Sequence, residues 1–247
     1  MKPSVTIIIP AYNEAGNLAA ATHAVLAELK TGEYSAYEII IVDDNSTDGT
    51  ANIADNLVMK DSCIRVVHNQ ENKGIGFNFM LGWNISKGEY TGIIPGDNEL
   101  TQEAVHNLLS AVGKADIIVS YIANPHVRPL LRQIISKSFT GSMNMLFNTR
   151  LRYLTGPGII RTKILRELGQ TNPGFAFMME ILVQLVRAGF SYTHAAMPIQ
   201  PRSYGKAKVF RLKDIRRVAG AVGRVIKQVY FTGNVARLRV YRLAQRA

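Results

Sequence analysis

Residues 39–50 read IIIVDDNSTDGT, an uninterrupted apolar run followed by a polar loop. The run is rich in β-branched residues and shows no polar alternation, which indicates a strand covered on both faces. The loop holds two adjacent carboxylates, Asp43 and Asp44, and a helix is predicted to begin near Thr50. A buried strand that leads through a polar loop into a helix is the repeating unit of a parallel α/β sheet.

The same unit recurs on both sides of this stretch. Strands are predicted at 5–9, 38–42, 64–67, 90–94 and 116–120, and helices at 14–30, from 50, 76–86, from 102, 175–188 and 208–230. This alternation predicts an α/β fold, with a mostly parallel central sheet and helices on both faces. The stretch 124–166 shows no such pattern and is predicted to be irregular.

The composition is that of a globular protein, with 47% hydrophobic and 19% charged residues in a chain of 247. This length suits one large domain, or one domain with an appendage. Cys63 is the only cysteine, so no disulfide can form within the chain, which fits a reducing compartment. No apolar run approaches the roughly 18 residues of a membrane-spanning helix, and the run at 5–9 is too short for a signal peptide. We therefore expect a protein that stays in the cytoplasm.

The net charge of +11 comes from one end of the chain. Residues 1–200 carry 16 Lys and Arg against 17 Asp and Glu, whereas residues 201–247 carry 13 Lys and Arg and one acid, Asp214. A neutral body with a cationic appendage indicates a polyanionic partner, such as membrane lipid, nucleic acid or a phosphorylated substrate. We divide the chain into a body at 1–205 and a basic helical segment at 206–247.

The basic segment is predicted to contain an amphipathic helix. Its apolar residues recur at intervals of three and four, with cations largely on the other side. The apolar positions are Leu212, Ile215, Val218, Val222, Val225 and Val229, and the cations are Lys213, Arg216, Arg217, Arg224 and Lys227. Two interpretations stay open. The segment binds an anionic membrane surface or a membrane-protein partner, or its apolar stripe packs against the body or a second subunit.

Polar residues follow the predicted strands. They are Tyr12, Asn13 and Glu14, then Asp43 and Asp44, then Asn69 and Lys73, then Asp97 and Glu99. Carboxylates that converge at one sheet edge can bind a hard divalent cation and leave positions for substrate phosphates. The same residue types are also common in turns and at helix N-termini, so each loop alone has a purely structural interpretation. No Walker-type lysine motif is present, and Gly74-Ile-Gly76 lacks the third glycine of a dinucleotide fingerprint.

Four segments resemble, in order and spacing, the inverting family 2 glycosyltransferases of GT-A fold. They are IIIPAYNEAGNL (7–18), IIIVDDNSTDGT (39–50), NKGIGFNFMLGW (72–83) and PGDNEL (95–100). Later segments are similar to the polyprenyl-phosphate branch of that family, the dolichyl-phosphate mannose type. They are RQIIS (132–136), FMME (177–180), MPI (197–199) and RSYGKAK (202–208). The resemblance implies an enzyme that moves a hexose from a GDP- or UDP-sugar to polyprenyl phosphate.

The resemblance also implies roles for particular residues. Pro10, Tyr12, Glu14 and Asp44 would bind the donor nucleotide, and Asp97 and Glu99 would bind Mg²⁺ or Mn²⁺. Arg128, Arg132, Ser136, Arg202 and Lys208 would bind the acceptor phosphate, with Asp97, Arg132 and Arg202 carrying catalysis. The sequence departs from the family at Pro95, which stands where the first metal-binding Asp is expected. A metal site would then rest on Asp97 and Glu99.

The acceptor decides whether a protein base is needed. A phosphomonoester carries about −1.5 to −2 charge at neutral pH, so its oxygen is already ionised. An alcohol acceptor would instead need a positioned base, and Glu180 is the acid best placed by motif. A buried structural acid is an equally open interpretation of Glu180.

Three functions are consistent with these features. The first is a transferase acting on polyprenyl phosphate at the cytoplasmic face of a membrane, to which it binds peripherally. The second keeps the fold but uses a soluble or glycan acceptor. The third is a nucleotide-binding or nucleic-acid-binding protein, and the lack of aromatic residues interleaved in the basic segment argues against a nucleic-acid partner.

Overall fold

A seven-stranded sheet forms the centre of the computed structural model, which describes residues 2–174, 176–201, 204 and 212–245, and only the backbone of 212–217. The strands are β1 (Ser4–Ala11), β2 (Ala36–Asp43), β3 (Ile64–His68), β4 (Tyr90–Ile93), β5 (Ile117–Ile122), β6 (Gly158–Arg161) and β7 (Tyr192–Met197). Their order in the sheet is β3-β2-β1-β4-β6-β5-β7. Only β6 runs antiparallel to its neighbours, so the predicted mostly parallel sheet is confirmed.

Helices cover both faces of the sheet. They are α1 (Leu18–Thr31), α2 (Thr50–Lys60), α3 (Ile75–Ile85), α4 (Gln102–Leu109), α5 (Leu130–Phe147), α6 (Thr162–Leu168), α7 (Phe177–Arg187), α8 (Leu212–Tyr230) and α9 (Asn234–Ala244). Successive residues of β1 enter two different cores, since Ile8 packs with α3 and α7 while Ile7 and Ile9 pack with α1 and α4. This explains why the strand shows a continuous apolar run and no alternation.

The stretch 124–166, predicted to be irregular, is ordered, and that prediction is wrong. It contains α5, β6 and α6. The four-residue β6 is too short to show a clear period in sequence. The apolar residues of α5 lie on both its inner and outer sides, which hides the helical pattern. Strand β7 was also not predicted.

The C-terminal helices pack against the body. Val225 of α8 and Leu238 of α9 are both 0% exposed and belong to the same core cluster as α7. The prediction that Val225 enters a membrane, with Arg224 at the headgroups, is therefore wrong. The alternative of packing on the body is correct for this part of the stripe, while the side chains of Leu212 and Ile215 lie outside the described residues.

Cations of these helices also bind the body. Arg237 of α9 forms an ion pair with Glu167 of α6 and donates to its backbone carbonyl at 2.9 Å. Arg239 donates to the carbonyl of Arg187 at 3.2 Å. Among the residues that the structure describes, no helix is both long and apolar enough to span a bilayer.

Candidate active site

The order of the strands changes direction at β1, which pairs with β2 on one side and β4 on the other. Loops that leave such strands diverge and open a crevice at the carboxyl edge of the sheet. Backbone hydrogen bonds join the loops at its base. Gly96 donates to the carbonyl of Pro10 at 3.1 Å, and Asp44 donates to the carbonyl of Ala11 at 2.9 Å. The end of β1, which carries Pro10, therefore meets the loops that carry Asp44 and Asp97, as the sequence predicts.

The loops after β1 and β2 are interlocked by side chains. Asn13 has a φ of +57°, a left-handed conformation that asparagine tolerates better than most residues. Its backbone N–H donates to the Ser46 hydroxyl at 3.0 Å, and its side-chain oxygen accepts from the Thr47 N–H at 2.8 Å. The N–H of Glu14 donates to the Thr50 hydroxyl at 2.8 Å. These contacts fix the backbone from which Tyr12 and Glu14 project.

Asp48 has a structural role in the same loops. Its carboxylate accepts from the Ala15 N–H at 3.2 Å and from the Thr50 N–H at 3.1 Å. Burial raises the pKa of Asp48, but the hydrogen bonds from Thr50 and Ala15 outweigh this effect and hold the pKa below its ordinary value. The structural interpretation of polar residues in turns is thus correct for Ser46, Thr47 and Asp48.

Asp44 is 2% exposed, and both of its carboxylate oxygens accept protein hydrogen bonds. The donors are the Lys73 N–H at 2.9 Å, the Gly74 N–H at 2.8 Å and the Asn69 amide at 2.8 Å. The Asn69 amide also donates to the side-chain oxygen of Asn78, at 2.8 Å. Asp44 therefore holds the 69–74 loop against the crevice, a role that sequence analysis did not assign to it.

Asp97 and Glu99 follow β4 and are both partly exposed. The Asp97 carboxylate accepts from the Glu99 N–H at 3.2 Å. The carbonyl of Glu99 accepts from the Gln200 N–H at 2.8 Å, and the Gln200 side chain donates to the carbonyl of Asn98 at 3.1 Å. The loop after β4 is thus tied to the segment after β7, which leads toward Arg202.

The donor set suits a hard cation that also binds substrate. No group of three or more His, Cys, Asp or Glu side chains is arranged for a metal within the described ranges. Asp97 and Glu99 supply carboxylate oxygens, which Mg²⁺ and Mn²⁺ accept, and Mg²⁺ is usually bound through one or two carboxylates plus substrate phosphates. These two residues therefore fit a metal that is completed by a diphosphate and water.

Tyr204 links the chain after β7 to the loop after β1. A Cβ on Gly16 would lie 2.6 Å from the ring of Tyr204, so only glycine allows this close approach. The buried Asn17 amide donates to the Tyr204 carbonyl at 3.2 Å and to the Glu14 carboxylate at 2.7 Å. The predicted phosphate-binding residues Arg202 and Lys208 flank Tyr204 in sequence and lie outside the described residues.

A second link joins this segment to the start of α5. The Asn124 side chain donates to the Ile199 carbonyl at 2.8 Å and accepts from the Ile199 N–H at 2.9 Å. Gln200, the next residue, binds Glu99 as described above. The residues 198–200 therefore connect the loop of the predicted metal site with the turn that precedes α5.

The predicted acceptor residues lie on and before α5. Arg132 is exposed and Ser136 is partly exposed, one helical turn apart. Arg128 precedes the helix and donates to the Tyr153 hydroxyl at 3.2 Å, while its carbonyl accepts from the Gln133 side chain at 2.8 Å. The structure thus places Arg128 just before α5, and Arg132 and Ser136 on the first two turns of α5, which follows the carboxyl end of β5.

Glu180 is not arranged as a catalytic base. It is 1% exposed, and one carboxylate oxygen accepts from Arg224 of α8 at 3.0 and 3.3 Å. Burial raises the pKa of Glu180, the Arg224 guanidinium opposes that effect, and the pKa stays above its ordinary value. The interpretation of Glu180 as a buried structural acid is correct.

A family model for glycosyl transferase family 2 matches residues 6–176. The chain belongs to this family. It is an α/β protein of GT-A fold and a nucleotide-sugar-dependent glycosyltransferase. The matched range contains all four motifs at the strand ends, from the loop after β1 to the loop after β4, and also α5.

Several curated proteins are similar to this chain. Glycosyltransferase GlyG of Streptococcus pneumoniae is 32% identical over 127 residues, which are 50% of this chain but only 40% of that protein. Polyprenol monophosphomannose synthase of Mycolicibacterium smegmatis is 27% identical over 228 residues, 82% of this chain and 80% of that protein. Undecaprenyl-phosphate mannosyltransferase of Micrococcus luteus is 25% identical over 245 residues, 94% of this chain and 95% of that protein.

Among solved structures, glucosyl-3-phosphoglycerate synthase from Mycobacterium tuberculosis has a similar fold. Its complex with Mn²⁺ and UDP-glucose superposes with a TM-score of 0.67 at 16% identity, covering 90% of this chain and 79% of that chain. At this identity the likeness shows the fold alone.

Proposed function

We propose that this glycosyltransferase moves a hexose from a GDP- or UDP-sugar to polyprenyl phosphate, with inversion, at the cytoplasmic face of a membrane. The observation that carries the proposal is the position of Arg132 and Ser136. They lie one turn apart on α5, and α5 begins beside residues 198–200, which also bind the loop of Asp97 and Glu99. A phosphate held there would approach the donor from the β5 side of the crevice.

The donor nucleotide would lie over the interlocked loops after β1 and β2. Tyr12 is exposed enough to stack on a base, and Pro10 and Glu14 border the same crevice. Asp44 would shape the donor site through the 69–74 loop, whose backbone N–H groups it binds. Tyr204 contacts Gly16 and Asn17. Arg202 and Lys208, which flank Tyr204 in sequence and lie outside the described residues, would bind the acceptor phosphate.

Charge compensation is the main chemical task of this site. A bound Mg²⁺ or Mn²⁺, held by Asp97 and Glu99, would supply Lewis-acid stabilisation to the departing nucleoside diphosphate. Arg132, Ser136 and Arg128 would bind the acceptor phosphate and orient one of its oxygens toward C1 of the sugar. The acceptor oxygen attacks C1 as the bond to the diphosphate breaks, and no protein base is needed because the phosphate is already ionised.

Two independent facts support a lipid phosphate over a glycan acceptor. Two relatives that match over most of their own length are named for polyprenol and undecaprenyl phosphate. An alcohol acceptor needs a base, and Glu180, the candidate from sequence, is buried against Arg224. A glycan acceptor would therefore have to use another group.

The test is a transfer assay with labelled UDP- and GDP-sugars and Mg²⁺ or Mn²⁺. Polyprenyl phosphate, 3-phosphoglycerate and an oligosaccharide serve as alternative acceptors in detergent. Label in the organic phase only with polyprenyl phosphate is the expected result. Transfer to the oligosaccharide or to 3-phosphoglycerate with none to the lipid would overturn the proposal.

A further inference from the structure

His68, the last residue of β3, lies between two carboxylates. Its Nδ1 is 3.1 Å from Oδ2 of Asp43, and its Nε2 is 3.1 Å from Oδ1 of Asp55. Asp43 ends β2 and Asp55 lies on α2, the two elements that pack most closely on β3. Among the residues that the structure describes, these two carboxylates are the ionisable groups that face the ring.

The two carboxylates stand at opposite ends of one loop. Residues 44–49 leave β2 directly after Asp43 and enter α2 at Thr50, and Asp55 lies in the second turn of that helix. We call residues 44–49 the donor loop, because the proposed function places the nucleotide over them. The ring of His68 therefore joins the strand before the donor loop to the helix after it.

The contact with Asp43 also reaches the loop after β1. Asp43 is 3% exposed, and its other carboxylate oxygen accepts from the Ser46 N–H at 3.3 Å. The Ser46 hydroxyl accepts in turn from the N–H of Asn13, the neighbour of Tyr12. An unbroken series of contacts thus connects His68 with the backbone that carries Tyr12.

The geometry selects the charged form of the ring. A neutral imidazole has one N–H donor and one nitrogen with a lone pair, whereas an imidazolium has two donors. With a carboxylate at each nitrogen, only the imidazolium can donate to both. Burial lowers the pKa of His68, but the hydrogen bonds to Asp43 and Asp55 outweigh this effect and hold the pKa above its ordinary value of 6.5.

Loss of the proton breaks the connection at one of its ends. A neutral ring donates to one carboxylate and meets the other with a lone pair. If it keeps Asp55, the buried Asp43 loses its counter-charge, which is costly for a carboxylate that is shielded from water. If it keeps Asp43, α2 loses its tie to β3. In both cases one end of the donor loop is less firmly held, and a nucleotide must order that loop as it binds.

We propose that His68 is a positioning residue for the sugar donor, which in its charged form holds both ends of the donor loop and makes the affinity for a nucleotide sugar fall as the pH rises. The inference rests on the proposed function for the place of the nucleotide over the donor loop. It involves neither the acceptor nor the transfer step, so donor binding alone can test it.

The experiment is calorimetric titration of the full chain with UDP-glucose and with GDP-mannose, in the presence of Mn²⁺, at several pH values between about 6 and 8.5. The diphosphate of a nucleotide sugar is esterified at both ends, so its charge does not change over this range. Since the protonated ring is the binding form, affinity is full below the pKa of His68 and is lost as the pH rises through it. We expect the Kd to rise about fivefold for whichever donor binds.

Three variants separate the charge of His68 from its shape. His68→Gln should bind about fivefold more weakly already near pH 6 and show no further rise, because its side chain stays neutral. His68→Arg keeps a cation at every pH and should bind tightly across the range. Asp55→Asn removes one of the two carboxylates that raise the pKa of His68, so the rise in Kd should move to lower pH.

His106→Gln is the matched control. His106 also pairs with a carboxylate, that of Glu28 at 2.8 Å. It lies beside Pro3, at the start of β1 and therefore at the opposite edge of the sheet from the donor loop. This variant should keep the pH profile of the unaltered chain. Thermal unfolding verifies that each variant is folded, and Asp55→Asn, at a side chain that is 55% exposed, provides the test if His68→Gln unfolds.

Four results would overturn the inference. They are a Kd of the unaltered chain that is the same at all pH values, a pH response that persists in His68→Gln, an unshifted response in Asp55→Asn, and loss of the response in His106→Gln. Failure to bind either nucleotide sugar would reject the donor site and this inference together. A pH response that depends on His68, in a chain that transfers no sugar to polyprenyl phosphate, would retain this inference and reject the proposed function.

Discussion

The ion pair between Glu180 and Arg224 attaches α8 to the body, and Arg224→Ala should measure its strength. The change removes two hydrogen bonds to a carboxylate that is 1% exposed. Hydrogen bonds to charged groups contribute about 1.5–3 kcal/mol each, but the Arg224 side chain is 43% exposed, so solvent weakens the pair. We expect a loss of about 2 kcal/mol at neutral pH, or about 4–8 °C in Tm for a chain of this size.

The pH dependence tests the cause of that loss. Without the guanidinium, burial should raise the pKa of Glu180 further above the ordinary value of 4.5. The folded state then keeps a proton that the unfolded state releases. The stability that protonated Glu180 contributes is fully present below the pKa of Glu180 in the unfolded state. It is lost as the pH rises through the pKa of Glu180 in the folded state. Arg224→Ala should therefore cost less near pH 5 than near pH 8.

Urea unfolding at both pH values is the assay, and Lys227→Ala on the same helix is the control. Lys227 is exposed and forms no ion pair with a described residue, so its loss should change the free energy of unfolding by less than about 0.5 kcal/mol. Adding Glu180→Gln to Arg224→Ala should remove the difference between the two pH values. If Arg224→Ala lowers the free energy of unfolding equally at both pH values, or if Lys227→Ala lowers it as much, the buried charge of Glu180 is not the cause of the loss.

Four further predictions follow from the site and the core. Asp97→Ala should lower kcat by about a hundredfold or more, and it should leave Tm within about 2 °C because a partly exposed loop acid contributes little packing. Near-normal transfer in the presence of a chelator would contradict this prediction. Arg132→Lys keeps the charge but loses the forked set of N–H donors, so the KM for polyprenyl phosphate should rise about tenfold and the KM for the nucleotide sugar much less. An equal rise in both KM values would reject the assignment of Arg132 to the acceptor phosphate. Asp44→Asn should cost about 1–3 kcal/mol in urea unfolding, since an amide N–H₂ would face the N–H donors of the 69–74 loop, and an unchanged midpoint would argue against this contact. Leu238→Ala should cost about 3 kcal/mol in the same assay, whereas Leu243→Ala, at an exposed position of the same helix, should cost less than about 0.5; similar costs would place α9 away from the core.

The fold of the first hundred residues could be predicted from sequence because the local residue pattern and the tertiary packing agree there. Strands buried on both faces give continuous apolar runs, and each run ends in a polar loop at the sheet edge. The convergence of Pro10, Asp44 and Asp97 followed from topology alone. The anchoring contacts of Asn17, Asn69 and Asn124 did not, since an asparagine that anchors a loop looks like a turn residue in sequence. A polar residue that stands beside a motif, at a position where no turn is predicted, is the sequence signal that could identify such an anchoring residue.

The second half was harder to predict, for a physical reason. Amphipathicity shows that a helix has an apolar side but not what that side contacts. The stripe of α8 has the pattern of a membrane-surface helix, yet Val225 packs into the core and Arg224 neutralises Glu180. Conversely, α5 appears irregular in sequence because apolar residues on its outer side obscure the stripe on its inner side.

The position of Leu238 in the core has a consequence for how the protein is made. The core on the α1 and α4 side is built from residues up to 199, so it can close once β7 has been synthesised. The core on the α3 and α7 side also needs residues 221–238, which follow every strand of the sheet. A nascent chain that has just completed β7 would therefore expose one apolar side of a finished sheet until some forty more residues leave the ribosome. During this interval the nascent chain is most open to chaperones and to aggregation.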